Sequence, residues 1–497
     1  MRSKRKKKVG GIIIAIIVFA IVSVGVFFGV QFFTKTGIFR IPGVVYYGDT
    51  LTSSELSTLE GIFTKEVDLD KDVSIEGRYD LEKPASKNNE YLYEILVPVT
   101  DFYSSETNID VTGVAELFDE SFKSANNFSL IPVSELDFSK KLLSINGKYY
   151  LDEFNAGALY RTISFDSEKF EGEIEPLVGK TFTKDFPSRD TTLTFAQTGV
   201  TALSRRMNTR LNQVGGDAKY FAEQIGPFLS AFDITHTSNE SSFTNYASGA
   251  NICSDPRFID TLTAIGLDVV ELTGNHNQDC GDQAAIDTID TYNANSIQIV
   301  GGGKTADDAK KPLEISKKDT GITMLAFNQS TGGATLDNTP GANQYYENVA
   351  AEQIREAKAK GNFVIVDIQY YECNAYASTY EDPICDAANS SAGDQIGFFR
   401  HLIDLGADVV VGTSAHQAQT FELYGGGAIY YGLGNLFFDQ TDWPGTTRSL
   451  VLSHYFYNGK LLQTKLVGTV YGNDMQTKLL DSDTLKWWIE RLAKVKP

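Results

Sequence analysis

The amino-acid sequence predicts an α/β protein with an apolar N-terminal helix and two folded regions of different pattern. An uncharged segment at residues 9–33 is long enough to cross a bilayer as one helix. Residues 34–189 contain β-rich apolar runs in a mixed order. From residue 190 to residue 480, short apolar runs alternate regularly with helical patterns, which is typical of an α/β domain. A basic tail at residues 1–8 and a C-terminal tail at residues 481–497 complete the predicted organisation.

Residues 9–33 are interpreted as an uncleaved membrane anchor. The alternative is a cleaved signal peptide, whose apolar core is usually about 7–15 residues long and ends before small residues. This segment is longer, and the bulky Val30, Phe32 and Phe33 stand where cleavage would occur. Six of the first eight residues are Lys or Arg. That positive charge favours a cytoplasmic N-terminus and an extracellular body in a single-pass membrane protein.

The charge of the chain argues against a nucleic-acid partner. The formal net charge is −20, and because the first eight residues contribute +6, the remainder carries −26. A surface with this excess of Asp and Glu repels nucleic acid and anionic lipid headgroups.

All four cysteines lie in the predicted extracellular body, where disulfides are stable. Four cysteines allow three connectivities, and no pair has the Cys-x-x-Cys spacing of a zinc site. Cys373 and Cys385 flank a polar loop that contains a proline. We therefore expect them to form one bridge and Cys253 and Cys280 to form the other.

Residues 34–189 are interpreted as a smaller extracellular α/β domain of unknown role. The β-rich runs "EYLYEILVPVTDFY" and "KLLSINGKYYLDEF" lie on either side of "GVAELFDESFK", which has the periodicity of one short amphipathic helix. Asn146-Gly147 predicts a hairpin turn in the second run. No cluster of His, Cys or paired acidic residues has a recognisable ligand spacing here.

Eight apolar runs after residue 190 predict the strands of the larger domain. Helical patterns lie between several of them, for example "NVAAEQIREAKAKG" and "GDQIGFFRHLIDLG". In such folds, ligands gather at the carboxyl ends of the strands. The runs are "TLTFA", "DITHTS", "DVVELT", "IQIV", "ITMLAF", "FVIVDI", "DVVVG" and "AIYYG".

Polar side chains follow these strands at the ends where ligands are expected. Carboxylate, imidazole and amide groups are ligand types for hard or borderline divalent cations. Each has an ordinary explanation by itself, because Asn and Asp are common turn residues, but their recurrence favours a functional pocket. The residues are Arg205, Asn239, Glu240, Asn275, His276, Asp279, Asp367, Gln369, Glu372, Ser414, His416 and Asn435.

Residues from about 190 to 445 resemble the poly-γ-glutamate capsule biosynthesis proteins of the CapA/PgsA type, a branch of the calcineurin-like metallophosphatase fold. The resemblance covers about half of the chain and implies an αββα sandwich. Three ordered segments carry it: "SNE" with Glu240, "TGNHNQDCG" with Asn275, His276 and Asp279, and "LIDLGADVVVGTSAHQAQTFELYGGGAIYYGLGNLFFDQ" with His416 and Asn435.

Three positions depart from the family pattern. The opening Gly-Asp pair is Gly199-Val200 here, and Val offers no lone pair to a metal. Gln369 and Ser414 stand where the family has histidines. A two-metal site clamps the reacting oxygens between cations about 3.5–4 Å apart, and the loss of three ligands argues against such a clamp.

The residues that remain imply one divalent cation of the Mn, Zn or Mg class, or a polar pocket without metal. Glu240, Asn275 and His416 would be the metal ligands. His276 would be the catalytic acid or base, since imidazole titrates near neutral pH. The expected pocket is completed by Arg205, Asn239, Asp279, Gln369, Glu372, Ser414 and Asn435.

The resemblance implies a membrane-anchored extracellular protein that acts in the synthesis, export or anchoring of a cell-surface polymer such as a poly-γ-glutamate capsule. Its partners would be that polymer and other membrane subunits of a synthase or exporter. Arg205 and Arg206 are the nearest basic groups that could meet a polyanion. Two alternatives stay open: an extracellular metal-dependent hydrolase of phosphoesters or γ-glutamyl bonds, and an interaction module descended from an enzyme.

Overall fold

The computed structural model describes residues 45–63, 72–168, 170–330, 332–335, 338–370 and 394–497. Within these ranges, no helix is long and apolar enough to cross a membrane. The predicted anchor, Glu372, Cys373 and Cys385 lie outside the described residues. The chain divides into two compact units, and the second unit comprises residues 187–497 together with residues 100–107 and 136–142.

The chain from residue 45 to residue 186 contains eight strands and five α-helices among its described residues. The strands are β1 Val45–Tyr47, β2 Val73–Glu82, β3 Glu90–Asp101, β4 Asn108–Ile109, β5 Ser129–Pro132, β6 Lys140–Leu142, β7 Ser144–Ile145 and β8 Ala156–Asp166. The helices are α1 Ser53–Phe63, α2 Val114–Phe118, α3 Glu120–Ala125, α4 Tyr150–Glu153 and α5 Glu175–Phe182.

The first unit is built on one sheet, in which β1, β2, β8, β3 and β5 are hydrogen-bonded neighbours in that order. A buried ion pair joins helix α1 to strand β8, since Arg161 Nε donates to Glu55 Oε1 at 2.7 Å and both side chains are 2% exposed. The single helix predicted from "GVAELFDESFK" is wrong, because α2 and α3 are separate helices. The side chain of Asp119 accepts the backbone N–H of Phe122 and caps α3, so a new helix begins there.

The second unit contains the remaining elements. Its strands from residue 187 onward are β9 Thr192–Thr201, β10 Ile234–Asn239, β11 Val269–Glu271, β12 Gln298–Val300, β13 Gly302–Gly303, β14 Leu313–Lys317, β15 Thr320–Asn328, β16 Gly341–Ala342, β17 Phe363–Gln369, β18 Val409–Gly412, β19 Phe421–Tyr424, β20 Gly427–Tyr430, β21 Asn435–Phe437, β22 Arg448–Tyr457, β23 Lys460–Val470 and β24 Lys478–Leu479. Its α-helices are α6 Arg206–Gln213, α7 Gly226–Leu229, α8 Ile259–Ala264, α9 Asp282–Ala294, α10 Ala306–Ala309, α11 Glu347–Ala359, α12 Gln395–Asp404 and α13 Ser482–Lys494.

Two large sheets form the frame of this unit, and each of the eight predicted apolar runs forms a strand in one of them. The first sheet has the strand order β12-β11-β10-β9-β22-β23-β24, and β21 also pairs with β9. The second has the order β14-β15-β17-β18-β20-β19. Strands β12, β11, β10 and β9 are parallel to one another, as are β15, β17, β18 and β20. Parallel strands buried on both faces explain the continuous apolar runs.

Helices cover the outer faces of the two sheets and give four layers, αββα. Val269 and Ile365 belong to a core cluster that contains residues of both sheets. Their neighbours Val270 and Val364 point the opposite way, because successive strand residues alternate between faces. Val270 lies in a cluster with residues of helices α6, α8 and α9, and Val364 in a cluster with residues of α11 and α12.

The C-terminal segment is part of this fold. The sequence suggested a tail at residues 481–497, whereas helix α13 occupies most of that segment. Its Trp488, Ile489 and Leu492 are buried in the cluster that contains residues of both sheets. The amphipathic spacing of these three residues places them on one face of the helix.

Candidate functional site

The carboxyl ends of parallel strands from both sheets meet at one edge of the second unit. Glu240 follows β10, Asn275 lies in the loop after β11, and Gln369 ends β17. Ser414 and His416 follow β18. These side chains come from segments far apart in sequence, and the structure brings them into a single hydrogen-bonded network.

Gln369 is the centre of this network. Its Nε2 donates to Asn275 Oδ1 at 2.9 Å, to Glu240 Oε1 at 3.0 Å and to Ser414 Oγ at 3.2 Å. Glu240, Gln369 and Ser414 are buried. One amide nitrogen therefore joins three oxygens that belong to three different strand ends and to both sheets.

His416 lies beside this centre and is held by Asn435. The Nδ1 atom of His416 is 2.8 Å from Asn435 Oδ1, while Asn435 Nδ2 donates to Thr446 O at 3.1 Å. Because the amide nitrogen of Asn435 is used in this way, its oxygen accepts from Nδ1–H of the imidazole. The other ring nitrogen, Nε2, then faces Glu240 Oε2 at 3.7 Å.

The remaining predicted residues are near the network but do not form its hydrogen bonds. Asn239 is buried, and its amide donates to Ser241 O at 2.8 Å, which shapes the loop that carries Glu240. His276 Nδ1 is 2.8 Å from Asp279 Oδ2, and the two side chains are 27% and 42% exposed. Val200 is buried, and its backbone N–H donates to Gly434 O at 2.9 Å.

An open cavity of about 570 Å³ lies against the network. His276 and His416 line it together with a group of aromatic and charged side chains. The guanidinium of Arg205 lies 4.5 Å from the ring centroid of Phe438, and that ring is 5.1 Å from the His416 ring. The other charged and aromatic lining residues are Arg206, Asp439, Asp442 and Trp443.

The basic groups of this cavity are neutralised by acidic neighbours. Arg205 Nη2 is 2.5 Å from Asp439 Oδ1, and Arg206 Nη2 is 3.1 Å from Asp442 Oδ2. Asp439 pairs with both Arg205 and Arg206, and its side chain is only 4% exposed. The cavity wall therefore presents charges of both signs and is not the uniformly basic patch that two adjacent arginines would suggest.

A second polar cluster lies between the sheets, and sequence analysis missed most of it. His236 Nε2 is 3.1 Å from Asp367 Oδ2, and both side chains are fully buried. Gln197 Nε2 donates to Asp367 Oδ1 at 2.6 Å, and Gln197 Oε1 is 3.2 Å from His454 Nε2. Polar residues at inward positions of apolar strands, as in "DITHTS", were the signal that could have identified this cluster.

Burial dominates the electrostatics of that cluster. It raises the pKa of Glu271 to about 8, with further contributions from Asp367 and Glu240. Burial, with a smaller contribution from His236, lowers the pKa of His454 to about 3. At neutral pH, Glu271 is therefore largely protonated and His454 is neutral.

The donor set at the strand ends does not match that of a divalent cation site. Among the described residues, no group of three or more His, Cys, Asp or Glu side chains is arranged to hold a metal ion. The NH₂ nitrogen of Gln369 stands among the oxygens of Glu240, Asn275 and Ser414, and an amide nitrogen offers no lone pair to a metal. Val200 adds no ligand. Metal ligands lie about 2.0–2.2 Å from a small divalent ion such as Zn²⁺, so a cation would require Gln369 to rearrange.

One predicted disulfide is confirmed. Cys253 and Cys280 are bonded, with a Cα–Cα distance of 6.0 Å. The bridge ties the loop after β10 to the loop after β11, and Ser242 Oγ donates to Asn277 O between the same loops at 2.5 Å. It therefore fixes the segment that carries Asn275 and His276.

Comparisons with known proteins identify a family and several relatives of this chain. Residues 194–440 match the family model described as bacterial capsule synthesis protein PGA_cap. The capsule biosynthesis protein CapA of Bacillus anthracis is 24% identical over 275 residues, which cover 53% of this chain and 64% of that protein. The PGA biosynthesis protein CapA of Bacillus subtilis strain 168 is 28% identical over 281 residues, covering 54% of this chain and 70% of that protein.

A third relative matches a shorter region. A probable polyglutamine synthesis accessory protein of Mycobacterium tuberculosis is 27% identical over 195 residues, covering 36% of this chain and 48% of that protein. These alignments span between 48% and 70% of the relatives. The family-model match at residues 194–440 includes Glu240, Asn275, Gln369, His416 and Asn435. Through this region the chain belongs to the CapA-type bacterial capsule synthesis family, PGA_cap.

Proposed function

We propose that this protein is an accessory component of surface-polymer synthesis that binds a segment of an anionic polymer, of the poly-γ-glutamate type, in the cavity beside Arg205. The proposal joins the family membership to the cavity that lies against the strand-end network within residues 194–440. Its main structural support is the position of the Arg205 side chain.

The Arg205 side chain is partly accessible from the cavity. It is 30% exposed and Nη2 is paired with Asp439 Oδ1, whereas Nε is buried and has no hydrogen-bond acceptor among the described residues. Its backbone has a φ of +49°, which non-glycine residues rarely adopt. Strained backbone of this kind occurs often at binding sites, where the surrounding structure maintains it.

The chemistry of the cavity suits a chain of carboxylates on short apolar arms. A guanidinium pairs with a carboxylate through charge-assisted hydrogen bonds. Phe438 and the half-exposed Trp443 offer aromatic faces to the methylene groups of a γ-glutamyl unit. A volume of about 570 Å³ is typical of pockets that hold a small ligand or a few units of a polymer.

The acidic body does not prevent such binding. At physiological ionic strength the Debye length is about 8 Å, so distant surface charges are screened. Within the cavity, Asp439 and Asp442 offset Arg205 and Arg206. We therefore expect weak, salt-sensitive binding, which fits a protein that guides a growing polymer and releases it.

The finer parts of the proposal concern the rest of the protein. Residues 9–33 would anchor it in the membrane with the described units outside the cell, and other membrane subunits would supply polymerisation and export. Support for this comes from the apolar sequence of that segment and from the basic residues before it. The fold assignment as a metallophosphatase-like sandwich is supported by the four observed layers.

A hydrolase is the second candidate because His276 and His416 line the same cavity. His276 is paired with Asp279, an arrangement in which a carboxylate orients an imidazole for proton transfer. A hydrolase would shorten the polymer that it binds, and this property separates the two functions.

The test is binding of fluorescently labelled poly-γ-glutamate of defined length to the full chain in detergent, followed by fluorescence anisotropy. We expect Arg205→Ala to weaken binding about tenfold, because a charged hydrogen bond contributes about 1.5–3 kcal/mol. The chain length of the polymer is measured in the same samples after incubation.

Arg257→Ala is the matched control. Arg257 also pairs with an aspartate, Asp255, at 2.7 Å, but it does not line the cavity. Equal affinity of the two variants would contradict the proposal. Shortening of the polymer by the wild type, abolished by His276→Ala, would identify the protein as a hydrolase.

A further inference from the structure

We infer that the amide group of Gln369 takes the place of a metal ion, so that the strand ends of this site are held together without a divalent cation. The inference concerns the internal organisation of the site and does not depend on polymer binding. It assigns Gln369 a positioning role, since the residue acts through the groups that it joins.

The contacts of Gln369 are those of a central cation. A metal ion at a strand-end site draws together lone pairs from several elements. Here Nε2 lies 2.9–3.2 Å from oxygens of Glu240, Asn275 and Ser414, which follow β10, β11 and β18. The amide nitrogen has two N–H bonds and a partial positive charge, so two donors are shared among these three oxygens at hydrogen-bond distance.

The charge of Glu240 explains why the site needs such a donor. Glu240 is 1% exposed, and burying a carboxylate is unfavourable unless it is paired or hydrogen-bonded. Its Oε1 accepts from Gln369, while its Oε2 accepts no hydrogen bond among the described residues and lies 3.7 Å from His416 Nε2. Gln369 therefore compensates one of the two Glu240 oxygens that a metal would otherwise bind, and the His416 ring is the nearest polar neighbour of the other.

Binding of a cation would require the amide group of Gln369 to turn over. The Oε1 atom of Gln369 is buried without a hydrogen-bond donor among the described residues, so a flipped amide could turn it toward a metal. In the flipped state without metal, that oxygen would face Glu240 and Asn275, and all three atoms would be acceptors. The observed orientation is therefore the one that is stable without a cation.

The experiment compares thermal unfolding of the full chain in detergent with EDTA, with 1 mM MnCl₂ and with 1 mM ZnCl₂. We expect the Tm of the wild type to be the same in all three conditions. Gln369→Glu keeps the shape of the side chain, removes the N–H donors and places a second carboxylate against Glu240. We expect this variant to have a lower Tm in EDTA and to regain stability as the metal concentration rises.

Gln463→Glu is the matched control, because Gln463 is a buried glutamine whose amide donates to Lys140 O at 2.7 Å, away from the strand-end site. We expect it to lose stability without any rescue by metal. Isothermal titration calorimetry with MnCl₂ provides a second measurement on the wild type, which folds in any case. Binding of one equivalent of metal to the wild type at micromolar concentration, or a metal response of Gln369→Glu equal to that of Gln463→Glu, would overturn the inference.

Discussion

At the scale of single residues, Glu271 shows how strongly burial acts in this protein. It ends strand β11 and is fully buried. Its Oε1 accepts the backbone N–H of Thr273 at 2.5 Å. Burial raises its pKa from 4.5 to about 8, with Asp367 as the second cause. The folded protein therefore keeps a proton that the unfolded chain releases.

This proton links stability to pH. Between about pH 4.5 and about pH 8 the folded state binds one more proton at Glu271 than the unfolded state does. The free energy of unfolding should therefore fall as pH rises through this range, by at most about 1.4 kcal/mol per pH unit. We expect Glu271→Gln to reduce this slope. Urea unfolding at pH 5, 6, 7 and 8 measures it, and an identical slope in both proteins would refute the assignment.

At the scale of elements, the loops after β10 and β11 form one connected segment at the mouth of the site. The Cys253–Cys280 bridge closes a loop with a sequence separation of 27 residues. Tyr246 adds a contact, since its hydroxyl donates to Cys280 O. These links fix Asn275 and His276 on short loops that strand pairing alone would leave free to move.

Removing the bridge should therefore lower stability. A loop of this length corresponds to about 3.5 kcal/mol of unfolded-state entropy. We expect Cys253→Ser combined with Cys280→Ser to reduce the free energy of unfolding by about that amount, as measured in urea without reductant. Peptide mapping without reduction checks the pairing, and a peptide that joins Cys253 to Cys373 or Cys385 would contradict it. The same map tests the predicted Cys373–Cys385 bridge.

At the scale of the whole molecule, the described residues form two units, and the predicted anchor precedes both. The larger unit contains the site, and its four layers place the described strand-end residues at one edge of two sheets. The smaller unit has its own sheet and its own buried ion pair between Glu55 and Arg161. Nothing in its described side chains resembles the strand-end network.

The topology of the chain leads to a further prediction. If residues 9–33 anchor the protein with its body outside, protease added to intact cells that lack an outer membrane should remove a C-terminal epitope. A cytoplasmic marker protein in the same cells must stay intact, which controls for lysis. If the epitope is cleaved only after the cells are broken, the C-terminal body lies inside the cell and the predicted topology is wrong.

The sequence by itself determined eight strands of the larger unit, several of the helices between them and the partners of one disulfide. These features depend on local pattern: continuous apolar runs predict buried parallel strands, and Cys253 and Cys280 follow from how the remaining two cysteines are placed. Glu240, Asn275 and His416 were also predictable as neighbours, because the carboxyl ends of parallel strands share an edge. The break between α2 and α3 was missed, since Asp119 fits the helical period and also caps a new helix.

Only the tertiary structure decided what the site residues do to one another. Gln369 and Glu240 are 129 positions apart, and Gln369 and Asn275 are 94 positions apart, so no local period contains their contact. The sequence classed Gln369 as a lost ligand, and the fold makes it the donor that joins both sheets. The fold likewise places His276 outside the hydrogen-bonded network and buries Glu271. In each case burial and the direction of one polar side chain set the chemistry, and these depend on packing between distant strands.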